Sequence, residues 1–159
     1  GYYETICGGC GAGPDFKGAD AVHHHMTNTR ITDPEIMEHR YPVRLERFEI
    51  RQDSGGKGQF NGGNGVVREI RFLEKVQLSL LTQRRKSGPY GMEKGGEGKP
   101  GNQKVVQASG ETTVLESVSS TSINPGDRLI IETPGGGAWG TTKKIAASLI
   151  KRSGTVKHV

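Results

Sequence analysis

A chain of 159 residues suits one domain, large enough to bury roughly two-thirds of its unfolded surface. Only 31% of it is hydrophobic, 25 residues are glycine where an average share is about 7%, and the net charge is +5 with a pI near 9.3. No apolar run approaches the ~20 residues of a membrane span, no signal-peptide pattern opens it, and no nucleic-acid module accompanies the basic excess, so a cytoplasmic protein without membrane or nucleic-acid partners is expected.

The chain starts on Gly1-Tyr2-Tyr3-Glu4 without an initiator Met, which reads as a cut edge, and its low apolar content suits a piece that leans on a larger protein. Residues 1–22 read as extended chain and glycine loop. Cys7 and Cys10 form a C-x-x-C, but Gly8, Gly9 and Gly11 disfavour the helix that a thioredoxin-like site opens. No second C-x-x-C or spaced His pair completes a zinc set, so two small buried thiols are expected. Residues 20–28 suit a short strand with His23 and His25 on one face and His24 on the other.

Asp33-Pro34-Glu35 is a helix start, with Thr32 or Asp33 as N-cap, proline in the first turn and an acid at the positive end of the dipole. Tyr41-Pro42 ends it after about two turns. Ile36, Met37 and Arg40 are expected to lay an apolar edge on whatever lies beneath. From Val43 the pattern turns to strands: residues 43–50, 66–72 and 76–82, two weaker ones within 104–118, and a clear buried one at 128–133. Glycine-rich turns separate them at 53–58, 61–65, 88–101 and 134–137, and Asn61-Gly62 favours hairpin geometry. The fold class is therefore mainly β (α+β at most), antiparallel strands joined by Gly/Pro turns, with one short helix near 33–40. Residues 1–140 form the domain. Residues 141–159 form a basic tail in which Ile145 to Ile150, flanked by Lys143, Lys144, Lys151 and Arg152, suit a helix near 143–152.

Chemistry-bearing residues concentrate at 23–42. His23 and His25 at i, i+2 can approach one metal, but a third ligand must come from Asp20, Asp33 or His39, and no spacing fixes it. Equally, one imidazole packs on the glycine loop, or one moves a proton near neutral pH. Thr27-Asn28-Thr29-Arg30 either holds a carbonyl or phosphoryl oxygen, with the guanidinium fork donating, or ties a turn with Arg30 paired to Asp33 or Glu35. The glycine loops lack the Gly-Lys-Ser/Thr ending of a phosphate-binding loop and read first as turns or close backbone approach. Arg84 and Arg85, just beyond a strand, are an anion clamp or a solvated loop.

Several longer motifs, in order, carry a resemblance. Tyr2-Tyr3-Glu4-Thr5 precedes a glycine run, and His25 to Glu35 reads His-Met-Thr-Asn-Thr-Arg-Ile-Thr-Asp-Pro-Glu. Arg40 to Val43, Asp53 to Gly58, Gly62 to Val66, Arg84-Arg85, Pro89-Tyr90-Gly91 and Gly126-Asp127 to Gly137 follow. Over residues 2–140 the chain resembles the 5-oxoprolinase and hydantoinase B family, and its Thr-Arg-Ile-Thr-Asp-Pro-Glu wording is nearer the 5-oxoprolinase branch than the N-methylhydantoinase branch. Cys7, Cys10, His24 and Ala138-Trp139 depart from the family pattern, and 143–159 matches nothing in it.

The resemblance implies a fragment, the C-terminal part of the B region, of an ATP-dependent enzyme that opens 5-oxo-L-proline to L-glutamate in glutathione turnover. ATP and Mg would be bound elsewhere, by a hydantoinase A-like ATPase region. The Asp and His metal motifs of related carboxylases lie earlier in the B region and are not in this chain. The implied partners are that ATPase region or subunit, the remainder of the B region, a small cyclic amide, and further copies in a homo-oligomer. His25, Asn28 and Arg30 are then expected at the ring-opening site, with Glu4, His23, Thr27, Arg84 and Arg85 binding substrate and no metal held by the fragment, which alone would be inactive. Alternatives are a non-catalytic β-rich scaffold or docking module of the larger enzyme, N-methylhydantoinase-type specificity, or an independent anion-binding protein.

Overall fold

Alternation of apolar and polar residues builds two sheets around one core. The computed structural model describes residues 1–24 and 27–142; His25, Met26 and the helix expected near 143–152 lie outside the described residues. The described elements are α1 (Pro34–Arg40), β1 (Val43–Ile50), β2 (Val66–Phe72), β3 (Val76–Leu81), β4 (Asn102–Val106), β5 (Thr112–Val114), β6 (Val118–Ile123) and β7 (Arg128–Glu132). All strand pairings are antiparallel, in a five-stranded sheet ordered β1-β2-β7-β4-β5 and a two-stranded sheet of β3 and β6. Ile70, Phe72, Val105, Leu129 and Ile131 from the larger sheet meet Ile123 from the smaller one, and Val76, Leu78 and Leu80 pack against them. Among the described residues, no helix is long and apolar enough to cross a membrane.

The helix starts as its sequence dictates: the Asp33 carboxylate accepts from the amides of Glu35 (3.0 Å) and Ile36 (3.4 Å), two donors with no intrahelical partner. Its expected apolar edge is narrower, however. Met37 is fully buried, whereas Ile36 and Arg40 face solvent, because so short a helix offers one side chain to the sheet below.

Three local expectations are corrected. Residues 20–24 do not form a strand and carry only an isolated bridge between Val22 and Gly8. The Asn61-Gly62 pair does not turn a tight hairpin: Ile50 pairs with Val66, so residues 51–65 form one long connection between β1 and β2. A strand not anticipated, β6, carries four hydroxyl residues and no apolar run. It forms because Leu80, Leu78 and Val76 of β3 stand opposite Ser119, Thr121 and Ile123, while a ladder on the outer face joins Gln77 to Ser120 (3.0 Å), Ser79 to Ser120 (3.1 Å) and Ser122 to Gln77 (3.1 Å).

The glycine runs form a second packed region, made of backbone. Around Pro134 to Gly140 lie the segments near 8–12, 54–65 and 90–99. An added Cβ would stand 1.9 Å from Ser54 O at Gly135, 1.9 Å from Cys10 O at Gly136 and 1.8 Å from Tyr90 O at Gly137. Three successive residues thus meet three different segments, the geometry of an extended helix with three residues per turn and no internal hydrogen bonds. Its polar groups are satisfied sideways: Gly136 donates to Gly63 O (2.8 Å), Gly135 to Lys99 O (3.2 Å) and Ala138 to Gly96 O (2.9 Å), while Gly56 (2.9 Å) and Ala12 (2.9 Å) donate to Gly136 O and Gly137 O. Glycine is required in this bundle for space.

Candidate functional site

The expected site residues are distributed around the bundle. Asp20 anchors the chain entering them: it accepts from the Asn64 amide (2.6 Å), and Ala21 N donates to Asn64 O (2.9 Å). Asn64 is a hub, its side-chain oxygen also accepting from the amides of Ser54 (3.0 Å) and Gly55 (3.0 Å). Between these segments lies an open polar groove of about 410 Å³, floored by Gly18, Gly55 and Gly62 and rimmed by Lys17, Asp20, Lys57 and Asn61. Lys17, Lys57 and Asn61 escaped the sequence reading as site residues, and Asp20 entered it only as a possible metal ligand, because the groove exists only once segments far apart in the chain are bundled. Lys57 pairs with Asp53 (3.1 Å) on its edge.

From this rim the chain runs into the polar stretch. His23 is half-buried, and both its ring nitrogens are shielded from solvent without a hydrogen-bond partner among the described residues. Thr27 Oγ1 accepts from His24 N (3.2 Å). Asn28 and Arg30 are exposed, and among the described residues neither side chain enters a hydrogen bond or an ion pair. The pairing of Arg30 with Asp33 or Glu35 is not formed, so its guanidinium fork and the Asn28 amide face outward. Arg donors of this kind suit a carbonyl or phosphoryl oxygen.

Glu4 sits apart from that surface. Both its oxygens are committed: Arg68 Nε (2.8 Å) and Nη2 (3.0 Å) donate to them as a fork, and so does Tyr2 OH (2.7 Å). Arg68 is 1% exposed, its guanidinium 5.1 Å from the centre of the Phe48 ring and 3.5 Å from Met37 Sδ. On β2, Arg68 occupies the same face as Ile70 and Phe72, so this ion pair fastens the N-terminal segment and α1 over one end of the core. Cys7 is buried and Cys10 half-buried; both are free thiols, and burial pushes both thiols up.

Arg84 and Arg85 point to different surroundings and do not clamp together. Arg84 is exposed, in left-handed backbone at φ 57°, with its guanidinium 5.8 Å from the centre of the Tyr90 ring. Arg85 is half-buried and donates to Gln103 Oε1 (3.0 Å) and Gln83 O (2.7 Å). Among the described residues no hydrogen bond or ion pair links either one to residues 27–30.

ATP with Mg does not fit the glycine segments. A phosphate cradle needs several amides free to point at one anion, whereas the amides of Gly9, Gly18, Gly56, Gly62, Gly63, Gly96, Gly98, Gly135 and Gly136 already donate to neighbouring carbonyls. Among the described residues, no group of three or more His, Cys, Asp or Glu side chains is placed to hold a metal ion.

Comparison with known proteins agrees with this architecture. The family model described as hydantoinase B/oxoprolinase matches residues 1–142. The chain is 51% identical over 140 residues to a 5-oxoprolinase of Dictyostelium discoideum, covering 88% of this chain and 11% of that protein. It is 48% identical over 141 residues to 5-oxoprolinase 1 of Arabidopsis thaliana, covering 89% of this chain and 11% of that protein. Among solved structures, an ATP-dependent caprolactamase from Pseudomonas jessenii superposes with a TM-score of 0.72 at 24% identity, over 86% of this chain and 25% of that one. The chain thus spans about 11% of the length of the curated relatives it matches.

Proposed function

This chain belongs to the hydantoinase B/oxoprolinase family, and from that premise we propose that it is the C-terminal part of the B region of an ATP-dependent cyclic-amide hydrolase that opens 5-oxo-L-proline to L-glutamate. The observation that carries the reading is the 51% identity to a 5-oxoprolinase across 88% of the chain. Residues 1–140 form the B-region unit, and residues 141–159 a basic extension. The remainder of the B region and a hydantoinase A-like ATPase region are its partners, and ATP with Mg is bound by that region. The complete enzyme is a cytoplasmic homo-oligomer serving glutathione metabolism.

Ring opening of an activated lactam requires donors for the developing charge on oxygen, held in place beforehand. His25, Asn28 and Arg30 supply them. Thr27 and the half-buried His23 flank them along the chain, and Asp20 ties the chain entering this stretch to Asn64 of the glycine bundle. Glu4 acts at one remove, by holding Arg68.

The test is Arg30→Ala in a complete enzyme containing this chain. Ring opening should fall by about 10²-fold or more, the scale of losing one charge-stabilising donor, while ATP hydrolysis without lactam stays near that of the parent. Unchanged coupled turnover would remove Arg30 from the site. A second reading, a scaffold that only holds the larger enzyme together, is favoured by the glycine bundle, whose backbone is spent on itself. Under that reading Asn28→Ala and Arg30→Ala both leave turnover intact.

A further inference from the structure

On the face of the five-stranded sheet turned away from the core, β1, β2 and β7 carry a row of arginines: Arg44 stands directly opposite Arg71, and Arg71 directly opposite Arg128. We propose that this face is a docking surface for an acidic segment of the larger enzyme, outside residues 1–159. The inference rests on the chain being part of a longer protein, and not on which lactam is opened.

Register sets the row. Ile70, Leu129 and Val105 point into the core, so Arg71, Arg128 and Lys104, one position along their strands, point the other way. Arg44 joins them from between the inward-facing Val43 and Leu45. Paired Cα atoms lie about 4.5–5.5 Å apart across strands, so the three arginines share a width of about 10 Å. Like charges directly opposite one another destabilise a sheet, and the acids nearby offset this row only in part. Arg71 Nε donates to Glu46 Oε1 (2.5 Å) and Arg128 Nη1 to Glu69 Oε1 (2.6 Å), while Arg47 is shared between Glu49 (3.3 Å) and Glu69 (3.5 Å). Arg44 and Lys104 have no hydrogen-bond or ion-pair partner for their side chains among the described residues. Arg44, Arg47, Arg71, Lys104 and Arg128 thus face only Glu46, Glu49 and Glu69, because Glu132 at the far end is matched by Arg51 (3.6 Å). The bond from Arg71 first, then the charges of Arg71, Arg44 and Arg128, hold the Glu46 carboxyl below its ordinary range.

Charge complementarity selects the occupant. The side chains of Arg71 and Arg128 are 40% and 37% exposed and Arg44 is exposed, so their remaining donors are open to carboxylates. An open sheet face does not enclose a small anion as a concave pocket does. A phosphate backbone would meet Glu46, Glu49 and Glu69 and find no aromatic ring to stack on, whereas Ile130, Val106 and Val114 on the same face offer apolar contact to a polypeptide. Polypeptide is available, since this chain spans about 11% of the length of the curated relatives it matches.

The experiment uses the complete enzyme containing this chain. A zero-length carbodiimide should join Lys104, and residue 44 in the Arg44→Lys variant, to Asp or Glu side chains outside residues 1–159, read by peptide mass spectrometry. Phenylglyoxal should modify Arg44 about 10-fold more slowly than the exposed Arg40, reporting a docked-to-open ratio of about ten. That protection should vanish in about 1 M salt, where the screening length is about 3 Å. Arg44→Glu, which breaks no side-chain bond among the described residues, should lower the Lys104 cross-link yield by about 10-fold or more, because it sets like charges together. Arg44→Gln covers the case in which the Glu variant fails to fold, and should lower the yield less. Cross-links confined to acids of residues 1–159, or an Arg44 as reactive as Arg40 at low salt, overturn the proposal. So do cross-links between differently isotope-labelled copies of residues 1–159, which would assign the face to a second copy, and protection abolished by nuclease, which would assign it to nucleic acid. Turnover enters none of these readouts: an enzyme that docks here but does not open 5-oxo-L-proline keeps the surface and loses the proposed reaction.

Discussion

Replacing Gly136 by Ala tests whether the glycine segments pack as a bundle. The new Cβ would lie 1.9 Å from Cys10 O, 2.2 Å from its carbonyl carbon and 2.7 Å from Gly11 N, all backbone atoms with no rotamer to yield. Ordinary contact between carbons is about 3.5–4.0 Å, so the 8–12 segment must move by more than an ångström. That motion breaks the bonds from Gly63 N to Cys10 O (2.8 Å), Ala12 N to Gly137 O (2.9 Å) and Gly9 N to Pro134 O (3.1 Å). At about 1 kcal/mol net for each bond, plus about 1–3 kcal/mol for overpacking, the loss is about 4–6 kcal/mol. Against a domain stability of about 5–15 kcal/mol, such a variant is barely folded or unfolded. Gly11→Ala is the control, because its nearest neighbour is Gly137 O at 3.8 Å and its backbone is not left-handed; it should be neutral or gain up to about 1 kcal/mol from the unfolded chain. Trp139, the single tryptophan, exchanges backbone bonds with Phe60 inside the bundle and reports urea unfolding by fluorescence. With a slope of about 1–3 kcal/mol per molar urea, the Gly136→Ala midpoint should fall by about 1 M or more. Equal midpoints for the two variants would refute the packing argument.

Two further outcomes follow from the buried chemistry. Glu4→Ala leaves Arg68, 1% exposed, without its counter-charge, and should cost about 3–5 kcal/mol in the same urea assay; Glu4→Leu with Arg68→Met should recover most of it. A double variant as unstable as the single one would show that the charge itself is not what matters. Burial raises the Cys7 thiol, so its contribution is fully present below the unfolded thiol value of about 8.5 and is lost as pH rises through the higher folded one. Between pH 7 and 9.5 the parent should therefore lose more urea resistance than Cys7→Ala; parallel losses would argue that the thiol is equally acidic in both states.

Local rules made much of the fold legible. Asp33-Pro34-Glu35 specified a capped helix because capping is settled within four residues, and 66–72 and 128–132 read as buried strands because each is a short run rich in Val, Ile, Leu or Phe bounded by turn residues. The ordered motifs from Tyr2 to Gly137 likewise carried the family. What tertiary structure alone decided is how distant segments meet. Ser-rich β6 became a strand through its partner β3, and Arg84 and Arg85, adjacent in sequence, were sent to different surroundings. Glu4 was committed to an ion pair with Arg68, 64 positions away. The glycine runs read as turns one at a time, and only their assembly shows that each leaves out a side chain to admit another segment's backbone. Such complementarity has no period along a single stretch of chain. It is a steric relation between segments, and it exists only once they touch.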